Sequence, residues 1–450
     1  MEKGHLWRML AYASLLAVTL CIDTVGGMET YPPFAASDEI QAGHEAPLIP
    51  LGSPTTWLVP WNMASGYEQI SEIPLRIAQI VFGRTLGGGR MAHVFFGSLV
   101  VLGLFGFAQQ LIGAFPAWCA AMLLACSHVH IALSRAFICT GIQSATAVVL
   151  WLWVLVGLRK PQPATSWIPR ALLAGFIMGW GVQTYKIAYG FPFLALLTLI
   201  VWRRGFPAHW LIIAGLMLLG ALPIAFLWAW WMYQHYPASF EHVTGLSLMT
   251  DRRLGDSWAP AVFSQFRAMG TMWWTGRDAQ ENYGARIPVL DPVTGGAFAV
   301  GLLYAVWQWR STVSLLVAIW LPALMLGAIG LVNNGAGYYR LSCPLIFVCL
   351  LSGWGATSIM YRLFPMRLAQ ALCIAMLATA AYYNLSYYFV QYPREVADRS
   401  TAQFLLLVSR VCHQNESEED RRVLVEPQND YLRRLLQLQC PAEQQRVGIR

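Results

Sequence analysis

Two adjacent carboxylates, Asp38 and Glu39, stand in the first polar stretch of a chain that otherwise keeps acids out of long apolar runs. From Ile73 to Phe240 there is not one Asp or Glu. A carboxylate held at a bilayer surface, away from water, is suited to take a proton from a hydroxyl nucleophile. Tyr31-Pro32-Pro33 precede the pair, and the prolines end the first helix, so the acids fall beyond it. The same residues, as Ser37-Asp38-Glu39, could instead open a helix and satisfy its free amides. Isolated cations form a second group. Arg135 closes the run from His128 to Ser134 and precedes a long uncharged segment. A planar guanidinium there can hold a phosphate through paired hydrogen bonds, or it can reach to lipid headgroups. Lys186, one of three lysines, follows Tyr185 at a turn between two apolar runs, and Arg340 follows Tyr338-Tyr339. Each fits either a phosphate contact or an interfacial anchor. His128 and His130 are two apart, so on a helix they point different ways, and buried polar packing suits them better than a shared metal. His130 and Tyr185 are candidate substrate contacts. No P-loop, dinucleotide fingerprint or zinc-protease motif is present. The residues name no metal, although a divalent cation is compatible with them.

The elements that must position these groups are membrane helices. The 450 residues are 57% hydrophobic and 12% charged, against about a quarter charged in soluble domains. Mean hydropathy is +0.48, and many apolar runs approach 20 residues. The expected class is an all-α polytopic membrane protein of about eleven spans. These fall near 6–26, 91–112, 115–133, 137–158, 170–187, 189–202, 208–231, 296–309, 312–331, 341–359 and 367–390. The basic start followed by Leu10–Ile22 resembles a signal peptide, but no clear small-residue cleavage site follows, and retention as a first span is expected. The net charge of +7 reads as topology rather than as a nucleic-acid footprint. Alternate loops carry Lys3, Arg8, Arg159, Lys160, Arg170, Arg203, Arg204, Arg310, Arg362 and Arg367, against one acid, Glu2. That asymmetry predicts a cytoplasmic N-terminus and an external C-terminus.

Four pieces lie outside the expected spans. They are a first external loop over 27–90, a second over 232–295, a short one from Asn333 to Arg340, and a tail over 391–450. Residues 1–390 then form the membrane catalytic domain and 391–450 a small external appendage. Ile73–Phe82 is amphipathic and is expected to lie in the membrane interface. Seven cysteines fall in or beside spans as apolar fillers, while Cys412 and Cys440 in the tail could pair in an oxidising compartment. With the large polar pieces on one side, the chemistry is expected outside the cytoplasm. A convergent acid pair and three cations suit a lipid substrate whose phosphate leaves while a carboxylate activates the nucleophile.

The order of these features resembles the polyprenyl-phosphate-sugar-dependent GT-C glycosyltransferases, which include the protein O-mannosyltransferases and the lipid A aminoarabinose transferases. The resemblance covers most of residues 6–390. It rests on Pro32-Pro33 followed by Asp38-Glu39 and Ala46, then Leu75-Arg76 and Arg90 leading into the second span. It continues with Ala120-Ala121, Leu123-Leu124-Ala125 and Ser127-His128 to Ser134-Arg135. Leu173-Ala174-Gly175-Phe176, Thr184-Tyr185, Phe191-Pro192, the run Pro288 to Pro292, and Arg340 with Pro344 complete it. The resemblance implies a sugar donor linked to a polyprenyl or dolichyl phosphate and inverting transfer on the non-cytoplasmic side. Arginine outnumbers lysine 27 to 3, which fits a GC-rich bacterial genome, and a bacterial plasma membrane is the expected location. The resemblance also implies that Asp38 is the catalytic base and Glu39 its companion, with Arg135, Lys186 and Arg340 on the donor phosphate. Membrane lipid and an acceptor of unspecified class would be the other partners, with no nucleic acid. One departure stands out: Ala136-Phe137-Ile138-Cys139-Thr140 lacks the further acid that several relatives carry after the arginine. A flippase for lipid-linked saccharides and a non-catalytic polytopic subunit are the competing classes.

Overall fold

In the computed structural model the described residues are 3–28, 39, 46, 51, 61–62, 67–136, 141–159, 163–184, 189–203, 210–234, 258–278, 283–330 and 337–396. The chain opens with α1 (Lys3–Thr24). A two-residue antiparallel ribbon follows, β1 (Trp61–Asn62) with β2 (Tyr67–Glu68), in the register Trp61 to Glu68 and Asn62 to Tyr67. Next come α2 (Gln69–Phe82), α3 (Leu86–Ile112), α4 (Ala114–Cys126), α5 (His128–Arg135) and α6 (Gly141–Leu158). Then follow α7 (Ala164–Val182), α8 (Phe191–Trp202), α9 (Trp210–Gln234) and α10 (Trp258–Thr271). The last are α11 (Pro292–Trp307), α12 (Thr312–Met325), α13 (Ser342–Leu363), α14 (Met366–Ser386) and α15 (Tyr392–Val396).

The eleven expected segments overlap helices with shifted boundaries, and the one over 115–133 overlaps two. Among the described residues, six helices are long and apolar enough to cross a membrane, and eight if each of two bent pairs is one span. The expected span over 115–133 breaks at Ser127, where α4 and α5 meet at 62°. The expected spans over 296–309 and 312–331 are α11 and α12, which meet at 120°. With 12 residues, α8 reaches only about 18 Å, short of a hydrocarbon layer of about 30 Å. Apolar run length reports how much of a segment avoids water. It does not report whether that segment stays straight.

The bundle interior is apolar and tightly packed. Trp320 of α12 meets Trp151 of α6 at 5.8 Å and Phe191 of α8 at 5.5 Å between ring centroids. Its indole N–H is satisfied by Thr198 Oγ1 at 2.8 Å, as a buried indole requires. Glycines set the closest helix crossings. A Cβ at Gly175 would strike the Met217 carbonyl, one at Gly220 the Leu172 carbonyl, and one at Gly301 the Leu351 carbonyl. Small residues at such crossings let membrane helices approach and gain dispersion contacts that lipid tails cannot better. The outer surface is apolar too, with Phe226, Leu303 and Val306 exposed, which suits a lipid surround. Within α2, Ile73, Leu75 and Ala78 are buried while Ile80, Val81 and Phe82 are exposed, so the helix packs on α3 by one face and offers apolar side chains on another.

One end of the bundle gathers basic side chains. Arg159 lies over the Trp202 ring at 5.0 Å, and Arg362 over Trp307 at 4.2 Å, joining the ends of α6 with α8 and of α11 with α13. The end of α1, the start of α3, the end of α5 and the start of α13 meet at the opposite end. The candidate site is there.

Candidate active site

The chain leaves α1 through two glycines in the left-handed region, Gly26 at φ 82° and Gly27 at φ 79°. A side chain would strain this backbone, and glycine adopts it freely. Two arginines then grip the exit. Arg135, in the last turn of α5, donates from Nη1 to the Ile22 carbonyl at 2.8 Å and from Nη2 to the Gly27 carbonyl at 3.2 Å. Arg90, in the first turns of α3, donates from Nη1 to the Met28 carbonyl at 2.9 Å. Its other face makes a two-point pair with Glu39, Nε to Oε1 at 2.7 Å and Nη2 to Oε2 at 2.9 Å. Arg90 is fully buried and Glu39 is 2% exposed. A bidentate charged pair in so dry a place is strong and directional, because each ion has lost its water and the paired bonds replace part of it.

The two guanidinium groups therefore hold adjacent residues of the loop, Gly27 and Met28. Asp38 itself, with Tyr185 and Lys186, lies outside the described residues. Its neighbour Glu39 is anchored at the same end of the bundle as Arg135. Phe389 lies 5.5 Å from the Arg135 guanidinium, offering a ring face to the cation. Asp23 is fully buried near Arg135, and among the described residues its carboxylate oxygens have no hydrogen-bond partner.

Arg340 is 2% exposed, with its guanidinium 4.9 Å from the Tyr339 ring centre, in a short 3-10 turn (Tyr338–Leu341) at the head of α13. Ser342 donates to the Gly141 carbonyl at 2.7 Å, tying that turn to the start of α6. The turn also packs against α5, so Arg340 and Arg135 belong to neighbouring elements. His130 is buried, with Nε2 3.4 Å from Ser134 Oγ. Gly97 of α3 faces that serine so closely that a Cβ would overlap it.

His128 serves the segment that leads into α11. Its Nε2 lies 3.0 Å from the Pro288 carbonyl and its Nδ1 2.9 Å from the Tyr283 hydroxyl. A carbonyl only accepts, so Nε2 carries the proton and Nδ1 accepts from Tyr283. Burial, reinforced by Tyr392, Tyr387, Tyr388 and Asp278, pushes the Tyr283 phenol well above its ordinary range, which keeps it a donor. Asp278 accepts from the backbone N–H of Gly284 and of Tyr338, and Tyr338 donates to the Ile287 carbonyl at 2.9 Å. Asp291 caps α11 by accepting from Val293 and Thr294, and also accepts from Asn384 Nδ2 at 2.7 Å. These bonds fasten Asp278 and residues 283–291 onto α5, the turn at the head of α13, and α14. Among the described residues, no group of three or more His, Cys, Asp and Glu could hold a metal ion.

Sequence reasoning did not anticipate the Arg90 to Glu39 pair, the Tyr283 to His128 bond or the Asp291 to Asn384 bond. One signal for the first was present. An arginine opening a 27-residue apolar helix has to be neutralised, and the first loop holds the nearby acids.

No protein family profile matches the chain, and no curated protein matches it in sequence. Solved structures do. An oligosaccharyltransferase, AglB from Archaeoglobus fulgidus, in complex with an inhibitory peptide and a dolichol-phosphate, superposes with a TM-score of 0.54 at 13% identity. The match covers 97% of this chain and 60% of AglB. ArnT from Cupriavidus metallidurans bound to undecaprenyl phosphate gives 0.54 at 16% identity over 97% of this chain and 74% of ArnT. Its apo form gives 0.52 at 14% identity over 92% and 81%. This chain shares the fold of these solved structures. The resemblance read from the ordered motifs is thus met at the level of the fold, while this chain spans about three-fifths of the length of AglB.

Proposed function

We propose that this protein is an integral membrane glycosyltransferase that moves a sugar from a polyprenyl-phosphate donor to an acceptor on the non-cytoplasmic face. The observation that carries this reading is the buried Glu39 to Arg90 pair, which fixes the residue next to Asp38 at the end of the bundle where Arg135 and Arg340 lie. The fold shared with proteins solved with dolichol-phosphate and undecaprenyl phosphate supports the donor class.

In this mechanism Asp38 accepts the proton of the acceptor's nucleophile. The nucleophile forms its bond to the anomeric carbon as the bond from that carbon to the phosphate oxygen breaks, in line and with inversion. The electron pair leaves with the phosphate, which stays on the polyprenyl chain. Arg340 and Lys186 meet the developing phosphate charge. Arg135 spends two N–H groups on the carbonyls of Ile22, in the last turn of α1, and of Gly27 just beyond it, so it adds positive potential while holding the start of the loop that carries Asp38. Glu39 orients Asp38 through Arg90, and Tyr185 and His130 line the substrate side. The N-terminus is cytoplasmic and the membrane is a bacterial plasma membrane. Asp38→Asn should abolish sugar transfer from a radiolabelled polyprenyl-phosphate donor by the purified protein while leaving its melting temperature unchanged. Turnover near the wild-type rate would overturn the assignment.

A further inference from the structure

A cavity of about 480 Å³ opens between the start of α1, the end of α3 and α6, lined by Arg8, Tyr12, Gln109, Gln110 and Trp153. It is far from the candidate active site. Arg8 precedes Asp23 by fifteen residues of α1, or about 22 Å, and Arg90 precedes Gln109 by nineteen residues of α3, or about 28 Å. The cavity thus faces the opposite side of the hydrocarbon layer, at the basic end of the bundle.

Its composition is unusual for its place. Between Val100 and Ile112, α3 is otherwise apolar or glycine, yet it puts two glutamines side by side. Hydrogen bonding inside the cavity is only partly spent. Gln109 Nε2 donates to the Tyr12 hydroxyl at 2.9 Å, and Gln110 Nε2 to the Gly106 carbonyl at 3.1 Å. Among the described residues, Gln109 Oε1 is buried with no partner. Tyr12, having accepted from Gln109, keeps its own O–H to donate. Tyr12 and Trp153 stack at 6.1 Å and make a flat wall. Arg8 supplies a cation beside them. The unspent groups include one buried acceptor, one donor and one positive charge, and buried polar atoms in native proteins find partners.

We propose that this cavity is a second, non-catalytic binding site for an anionic phosphate ester that carries a free hydroxyl, the headgroup chemistry of a glycerol-phosphate lipid. The phosphate oxygens meet Arg8 and the Tyr12 hydroxyl, and the ligand's hydroxyl donates to Gln109 Oε1. A choline headgroup has no O–H to give, so the site discriminates against it. The site stands independently of the transfer reaction.

The test uses the full chain in phosphatidylcholine nanodiscs carrying trace diazirine-labelled phosphatidylglycerol or diazirine-labelled phosphatidylcholine, with the labelled peptides mapped by mass spectrometry. Peptides holding Tyr12 and Trp153 should be labelled by the glycerol lipid and not by the choline lipid. Arg8→Gln should cut that labelling roughly tenfold, the loss of a charge-assisted bond, and Gln109→Leu about fivefold, with melting temperatures unchanged. Competition by free glycerol phosphate would assign the ligand to the soluble pool, and its failure to compete assigns it to the lipid; either supports the site. Equal labelling by both lipids, or wild-type labelling in both variants, would overturn it.

Discussion

A buried arginine is tolerable only with a partner, and at Arg90 the partner is the residue next to the proposed base. Removing one member strands the other charge without water, which costs about 3–5 kcal/mol. Glu39→Gln should therefore lower the melting temperature in detergent and reduce transfer, although Glu39 need not touch substrate. Combining it with Arg90→Met should recover part of the lost stability, because the stranded charge is gone. Two independent, additive losses would contradict the pairing. The acids and the isolated cations were legible from residue type alone, because charge is conspicuous in an apolar chain. The bond between Glu39 and Arg90 was not, since 51 residues separate them and several acids and cations were available.

Elements show the reverse balance. Segment positions were readable from apolar runs, and amphipathicity marked α2. The breaks were not readable. Ser127 interrupts an apolar run without a proline or glycine, and at that break the N–H of His128 is taken by Asn384 Oδ1 at 3.1 Å. A side chain 256 residues away thus satisfies a free amide at the start of α5. Helix crossings were equally silent. Gly301 of α11 lies against Leu351 and Gly355 of α13. Gly301→Val should force those helices apart, costing about 1–3 kcal/mol and lowering thermal stability, while the same change at Gly296, where a Cβ meets nothing, should be close to neutral. Equal melting temperatures for the two variants would remove the crossing argument.

For the whole molecule, the separation of two charged ends is the organising fact. Arg8 is exposed at one end and Arg286 at the other. In a cysteine-free background, an impermeant maleimide added outside right-side-out vesicles should label Arg286→Cys and not Arg8→Cys. Labelling of both from the outside would defeat the topology. By itself the sequence determined the class, the helical segments, the charge asymmetry and the choice of candidate residues. Those properties follow from how each residue partitions between water and lipid, which is local to the chain. Only the tertiary structure decided that Arg135 and Arg90 hold consecutive residues of the loop leaving α1, that His128 binds the segment leading into α11, and that α4 and α5 bend. Those outcomes depend on which buried donor meets which acceptor, and pairings between distant segments are set by packing rather than by composition.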